Sequence, residues 1–178
     1  VSGPVNLEVP AGVERIDVRT ARDMHHAVVD RISGASIAIL AAAVADYRPL
    51  EQHAEKIKKS DAALTISFEP TTDILAEVAR TKGQKIVVGF AAETDHVAEN
   101  ARKKLSAKNA DLIVANDVTA EGAGFDHDTN IVTLFSRDGR DLALPKMSKS
   151  EVAQRILDEV VRLRSVLHGT AALKRSGV

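Results

Sequence analysis

Apolar positions in this chain follow two alternating spacings, one helical and one strand-like. Met24, Ala27, Val28 and Ile32 recur at helical spacing behind a Thr20/Asp23 pair, which predicts an amphipathic helix over about 21–33, closed by Gly34. Ser36 to Ala45 is then apolar without a break. Its length would suit a buried helix or a buried strand, and the polar punctuation from Asp46 to Pro49 favours a strand. Ile74, Leu75, Val78 and Ala79 share one face of a second helix, about 72–82, with Asp73 in its first turn and Gly83 at its end.

Lys85 to Ala91 reads as a strand, His96 to Ala107 as a helix, and Ala110 to Ala115 as another strand. This alternation predicts crossovers joining parallel strands. Asn130 to Ser136 and Asp141 to Leu144 flank Arg137-Asp138-Gly139-Arg140, and an Asp-Gly turn between such runs predicts an antiparallel hairpin. Ser148 and Glu151 cap a last helix that carries Val152, Ile156, Val160, Leu163 and Leu167 on one face, and a frayed tail is expected over 168–178. The expected fold is α/β, Rossmann-like and doubly wound, with a mainly parallel sheet and an antiparallel hairpin extension.

With 178 residues, 44% of them hydrophobic, the chain suits one domain, expected over 1–167. A formal net charge of -1 gives no general attraction to nucleic acid or to anionic membranes, so cationic function must be local. Aromatic residues make up 3%, too few to interleave basic segments as a platform for single-stranded nucleic acid. Cysteine is absent, which excludes disulfides, thiolate metal sites and a cysteine nucleophile, and the six histidines lack zinc-binding spacing. No membrane span or signal segment is read, and a cytoplasmic setting is expected.

The chemistry gathers at expected strand ends, where doubly wound sheets bind ligands. Asp46 ends the first apolar run and is either an acceptor for a charged ligand or a turn residue. Lys56, Lys58 and Lys59 form a cationic loop behind it, or an ordinary solvated run. Lys104 and Lys108, four apart, can bracket a polyphosphate or simply line a solvated helix face. Asn116 and Asp117 end a strand and either hold substrate or cap a turn. Neither a Walker-type loop nor a nucleophile elbow is present, and Gly122-Ala123-Gly124 lacks the strand-to-helix context of a dinucleotide fingerprint.

Ala41-Ala42-Ala43-Val44-Ala45-Asp46-Tyr47-Arg48-Pro49, Glu55 to Lys59, Val87 to Thr94, Lys104 with Lys108, and Ala110 to Val118 together resemble the bacterial phosphopantothenoylcysteine synthetases, or phosphopantothenate-cysteine ligases. The resemblance runs from about Gly3 to Leu167. It implies CTP-dependent joining of 4'-phosphopantothenate to L-cysteine through an acyl-cytidylate, with Mg²⁺. It also implies CTP contacts at Ala42, Asp46, Lys56, Asp73, Phe90, Lys104 and Lys108 and a mobile flap carrying Lys56, Lys58 and Lys59, while Asn116 is a further catalytic candidate by its strand-end position alone.

A homodimer is implied too, as is fusion to a flavin-dependent decarboxylase in the parent protein. Members of that family carry a first strand, a glycine-rich turn and an asparagine ahead of the segment matching Val1 to Pro4. An inactive, amino-terminally trimmed ligase domain is therefore expected. The alternatives are a CTP-binding, dimerising fragment without catalysis and a dinucleotide-binding dehydrogenase fragment.

Overall fold

The computed structural model describes residues 1–51, 55–59, 63–93, 95–117 and 128–175. Their order is α1 (Ala21–Ile32), β1 (Ile37–Leu40), β2 (Tyr47–Pro49), β3 (Phe68–Pro70), α2 (Ile74–Arg80), β4 (Ile86–Glu93), α3 (Val97–Ala107), β5 (Leu112–Asp117), β6 (Thr129–Asn130), β7 (Val132–Ser136), β8 (Asp141–Ala143), β9 (Met147–Ser148) and α4 (Lys149–Arg175). The chain divides into two compact units, residues 1–31 with 42–74 and residues 32–41 with 75–178.

The second unit holds a five-stranded sheet in the order β1-β4-β5-β7-β8. β1, β4 and β5 run parallel, and β7 and β8 are antiparallel to their neighbours, so the expected doubly wound α/β sheet with a hairpin extension is what forms. Strand alternation divides the side chains between two faces. Ile86, Val88, Leu112, Val114, Val132 and Leu134 pack with Val152, Ile156, Val160 and Leu163 of α4. Ala91, Ile113, Ala115 and Phe135 pack on the other face with Ala101 of α3, joined by Leu75 of α2. Gly89 lies on this second face, where a Cβ would come within 2.5 Å of a Leu75 methyl and 3.0 Å of Ile113 Cδ1.

Both capping boxes form. Thr20 N–H donates to Asp23 Oδ2 at 3.2 Å and Asp23 N–H to Thr20 Oγ at 3.1 Å, opening α1. Ser148 N–H donates to Glu151 Oε2 at 2.9 Å and Glu151 N–H returns to Ser148 Oγ at 3.2 Å, opening α4. Gly83 lies at φ +57° in the Lys82–Lys85 turn between α2 and β4, and Gly139 turns the β7-β8 hairpin at φ +88°, both in the left-handed region that favours glycine.

Several boundaries differ from the sequence pattern. β1 covers only Ile37 to Leu40, because its ladder with β4 stops at the Leu40–Gly89 pair, and the alanine-rich residues that follow belong to no strand. Asp73 precedes α2 instead of lying in its first turn, and Asn130 pairs with Met147 in a separate β6-β9 ladder. α4 continues to Arg175, past the point at which its apolar stripe ends.

The first unit contains α1, an isolated bridge between Ser2 and Asp17, and a two-stranded β2-β3 ladder. Across that ladder Tyr47 faces Pro70, Arg48 faces Glu69, and Pro49 faces Phe68. Arg48 and Glu69 are ion-paired at 2.6 Å.

Candidate functional site

In the second unit, parallel strands β4 and β5 end together, Ala92 opposite Asn116 and Glu93 opposite Asp117. β1 has already stopped opposite Gly89, so from Phe90 onwards β4 keeps only β5 as a ladder partner. Lys104 rises from α3 to this place, and its Nζ donates to the Phe90 carbonyl oxygen at 2.9 Å. An ammonium has three N–H donors, so this bond fixes the group in position while leaving capacity for an anion. Lys108 is the C-cap of α3, half-buried, its backbone N–H bonded to the Lys104 carbonyl.

Asn116 is half-buried at the end of β5, and its Oδ1 is shielded from solvent with no hydrogen-bond partner among the described residues. Phe90, expected as a ligand contact, turns its ring into the core beside α4, while its carbonyl is the group that holds Lys104. That carbonyl role has no side-chain signature in the sequence.

Ala42, Asp46, Lys56, Lys58, Lys59 and Asp73 belong to the first unit, and all are exposed. The Asp46 carbonyl accepts from Thr71 N–H at 2.8 Å, and Thr71 Oγ donates to the Ala45 carbonyl at 2.5 Å. This pairing ties the Asp46 backbone to Thr71, two residues before the exposed Asp73. Thr71, which ties the two stretches together, was not singled out by any sequence pattern. The side chain of Asp117 and the segment around Gly122 lie outside the described residues. Among the described residues, no group of three His, Cys, Asp or Glu side chains could hold a metal ion, and no helix is long and apolar enough to cross a membrane.

A buried polar cluster stands at the other end of the sheet. Asp111, 2% exposed, accepts from Lys82 Nζ at 2.5 Å and from Val87 N–H at 2.9 Å. Lys82 also donates to the Asn109 carbonyl at 2.7 Å, and burial lowers its pKa against the opposing pull of Asp111. Every donor and acceptor named here has a partner inside the protein, which makes the cluster a structural tie.

The family model for the C-terminal domain of the DNA/pantothenate metabolism flavoprotein matches residues 1–163. The coenzyme A biosynthesis bifunctional protein CoaBC of Bacillus subtilis is 50% identical over 164 residues, 92% of this chain and 40% of that protein. The chain thus spans about two fifths of the length of the curated relatives it matches. A crystal structure of the C-terminal domain of a CoaBC protein superposes with a TM-score of 0.75 at 38% identity, over 94% of this chain and 72% of that one. The DNA/pantothenate metabolism flavoprotein from Streptococcus pneumoniae shares the fold, with a TM-score of 0.70 at 21% identity over 90% of this chain and 76% of that one.

These findings correct the expectations drawn from the resemblance. The matched family is described by a flavoprotein's name, and none of these descriptions names a ligase, CTP or Mg²⁺. The phosphopantothenate-cysteine ligase, its acyl-cytidylate chemistry, CTP and Mg²⁺ as co-substrate and metal, and the CTP-binding fragment offered as alternative are withdrawn on that ground. So are the dehydrogenase fragment and, as partners, 4'-phosphopantothenate, L-cysteine and a homodimer. The flavin-dependent decarboxylase expected as a separate fused part is corrected as well, because the flavoprotein description attaches to the family that this chain itself matches.

A flavin is the cofactor that this name carries, and the strand-end residues test it. Lys104 fits the phosphate of a flavin mononucleotide. An isoalloxazine ring also needs a flat apolar slot with donors for its nitrogens and carbonyls. The described side chains here are Phe90, turned into the core, buried Ala91, small Ala92 and the amide of Asn116. They do not make such a slot, and no chemical step is derived through a flavin. By the extent of the match, 163 of its 178 residues, the chain belongs to the family of DNA/pantothenate metabolism flavoprotein C-terminal domains.

Proposed function

We propose that this chain is a cytoplasmic enzyme domain of coenzyme A biosynthesis that binds a phosphorylated ligand at the carboxyl ends of β4 and β5. The observation that carries the reading is the Lys104 ammonium, held 2.9 Å from the Phe90 carbonyl where the β1 ladder has ended. A cation prepositioned by a backbone acceptor neutralises phosphate without having to be ordered on binding, which favours both affinity and alignment. Lys108, one turn further along α3, extends the positive charge. In the first unit, taken by itself, Lys56, Lys58 and Lys59 are exposed cations suited to attracting an anion, and Asp46 and Asp73 are exposed acceptors suited to hydroxyl or amino groups. Phe90 contributes the carbonyl that aims Lys104. Binding, orientation and charge neutralisation are the tasks these residues can perform; the relatives' names support the pathway.

The full chain and its Lys104→Ala variant, titrated calorimetrically with FMN, 4'-phosphopantothenate and CTP and with their unphosphorylated counterparts, test this reading. Phosphorylated ligands should bind more tightly than their counterparts, and Lys104→Ala should weaken them by about tenfold or more, the scale of one charge-assisted hydrogen bond. Equal binding by the variant, or by the counterparts, would overturn the assignment. FMN binding would support the cofactor that the family's name carries.

A further inference from the structure

Along β5, Leu112 and Val114 point into the core beside α4, and Asn116 is the next position on that face. An amide therefore stands where the pattern would place another aliphatic side chain. Its neighbours across the sheet are Ala92 on β4 and Val132 on β7, neither of which has a side-chain donor. Asn116 Oδ1 is shielded from solvent and has no partner among the described residues. Buried acceptors are nearly always paired, and an unpaired one asks for a donor.

Resting on the phosphorylated-ligand reading above, we propose that Asn116 determines specificity by accepting a hydrogen bond from an N–H or O–H group in the organic part of the ligand. Lys104 would hold the phosphate, and the two residues, both in the second unit, would read different parts of one molecule. A site built to pair a polar group rejects analogues lacking it far more strongly than an apolar pocket does, because its own buried atom is then left unpaired.

Asn116→Leu, nearly isosteric and without the acceptor, tests this with inorganic phosphate, FMN, 4'-phosphopantothenate and CTP as probes. Phosphate affinity should be unchanged in Asn116→Leu and weakened in Lys104→Ala. The tightest organic probe should lose about tenfold in Asn116→Leu, as one hydrogen bond to a buried acceptor predicts. Without ligand, the melting temperature of Asn116→Leu should match or exceed that of the parent, since an unpaired acceptor has been removed. A lower melting temperature with unchanged probe affinity would overturn the proposal and make Asn116 a structural acceptor. Loss of phosphate and organic probes alike would also overturn it, by showing that Asn116 does not read the organic part. If the parent chain binds no probe, the phosphorylated-ligand reading itself fails, a result distinct from these two.

Discussion

At the residue scale, the same chemical types have opposite fates depending on where their bonds go. Asp111 and Asp46 are both aspartates next to strand boundaries, yet Asp111 is enclosed by Lys82 and the Val87 amide while Asp46 is exposed. Removing a partner from a buried ion pair leaves an uncompensated charge, so Asp111→Ala should destabilise the chain by about 3–5 kcal/mol, read from urea unfolding. Lys82→Met in the same background should recover part of that loss, since it deletes the stranded ammonium and keeps the stem. Failure of the second substitution to recover anything would mean that the Val87 bond, not the ion pair, supplies the tie. Lys104 contrasts with Lys82: its bond to the Phe90 carbonyl orients it without neutralising it.

Between elements, the β7-β8 hairpin is fastened to α4 by a buried glutamate. Glu159, 4% exposed, accepts from Ser136 Oγ at 2.7 Å and from Arg162, which also reaches Asp138 at 2.7 Å. Burial pushes the Glu159 pKa up, but the bonds from Arg162 and Ser136 outweigh it and hold the carboxyl below its ordinary value of 4.5. A carboxyl with a lowered folded-state pKa binds protons less readily folded than unfolded. Its stabilisation is present above the ordinary glutamate range and fades as pH falls through the lowered value. Unfolding free energies of the parent and Glu159→Gln should therefore differ most at neutral pH, by about 2–3 kcal/mol, the scale of a hydrogen bond to a charged group, and the difference should shrink as pH falls below the ordinary glutamate range. A difference that is constant with pH would show that the carboxylate charge has no part in the fastening.

For the molecule as a whole, the two units bury very different amounts of apolar surface. The second encloses both core clusters. In the first, the buried apolar residues among those described are Val18, Ala27 and Ile74, while Leu7, Val13, Tyr47, Leu64 and Phe68 are each more than half exposed. A two-stranded ladder with so little cover is marginal by itself. Amide exchange should accordingly be slowest in β4, β5 and β7 and much faster in β2 and β3, because local opening follows local burial. Uniform protection across both units would contradict this ordering.

The sequence by itself determined the elements whose cause is local. Side-chain capping at Thr20 and Ser148, the positive-φ glycines at 83 and 139, the apolar periodicities of α1, α2 and α4 and the apolar runs of β4 and β5 are properties of neighbours along the chain, and so is the α/β alternation that they spell out. Tertiary structure decided what depends on a partner far away in sequence. Whether the run from Ser36 to Ala45 remains a strand depends on how far β4 accompanies it, and that pairing ends at Gly89. The fates of the strand-end residues were set the same way. Thr71 secures Asp46 from 25 positions away, and a backbone carbonyl, identical in every residue type, positions Lys104. Among the described residues Asn116 Oδ1 has no donor, its neighbours across the sheet being Ala92 and Val132. Local patterns specify which backbone a segment prefers; the pairing of polar atoms across the sheet is fixed only when the strands meet.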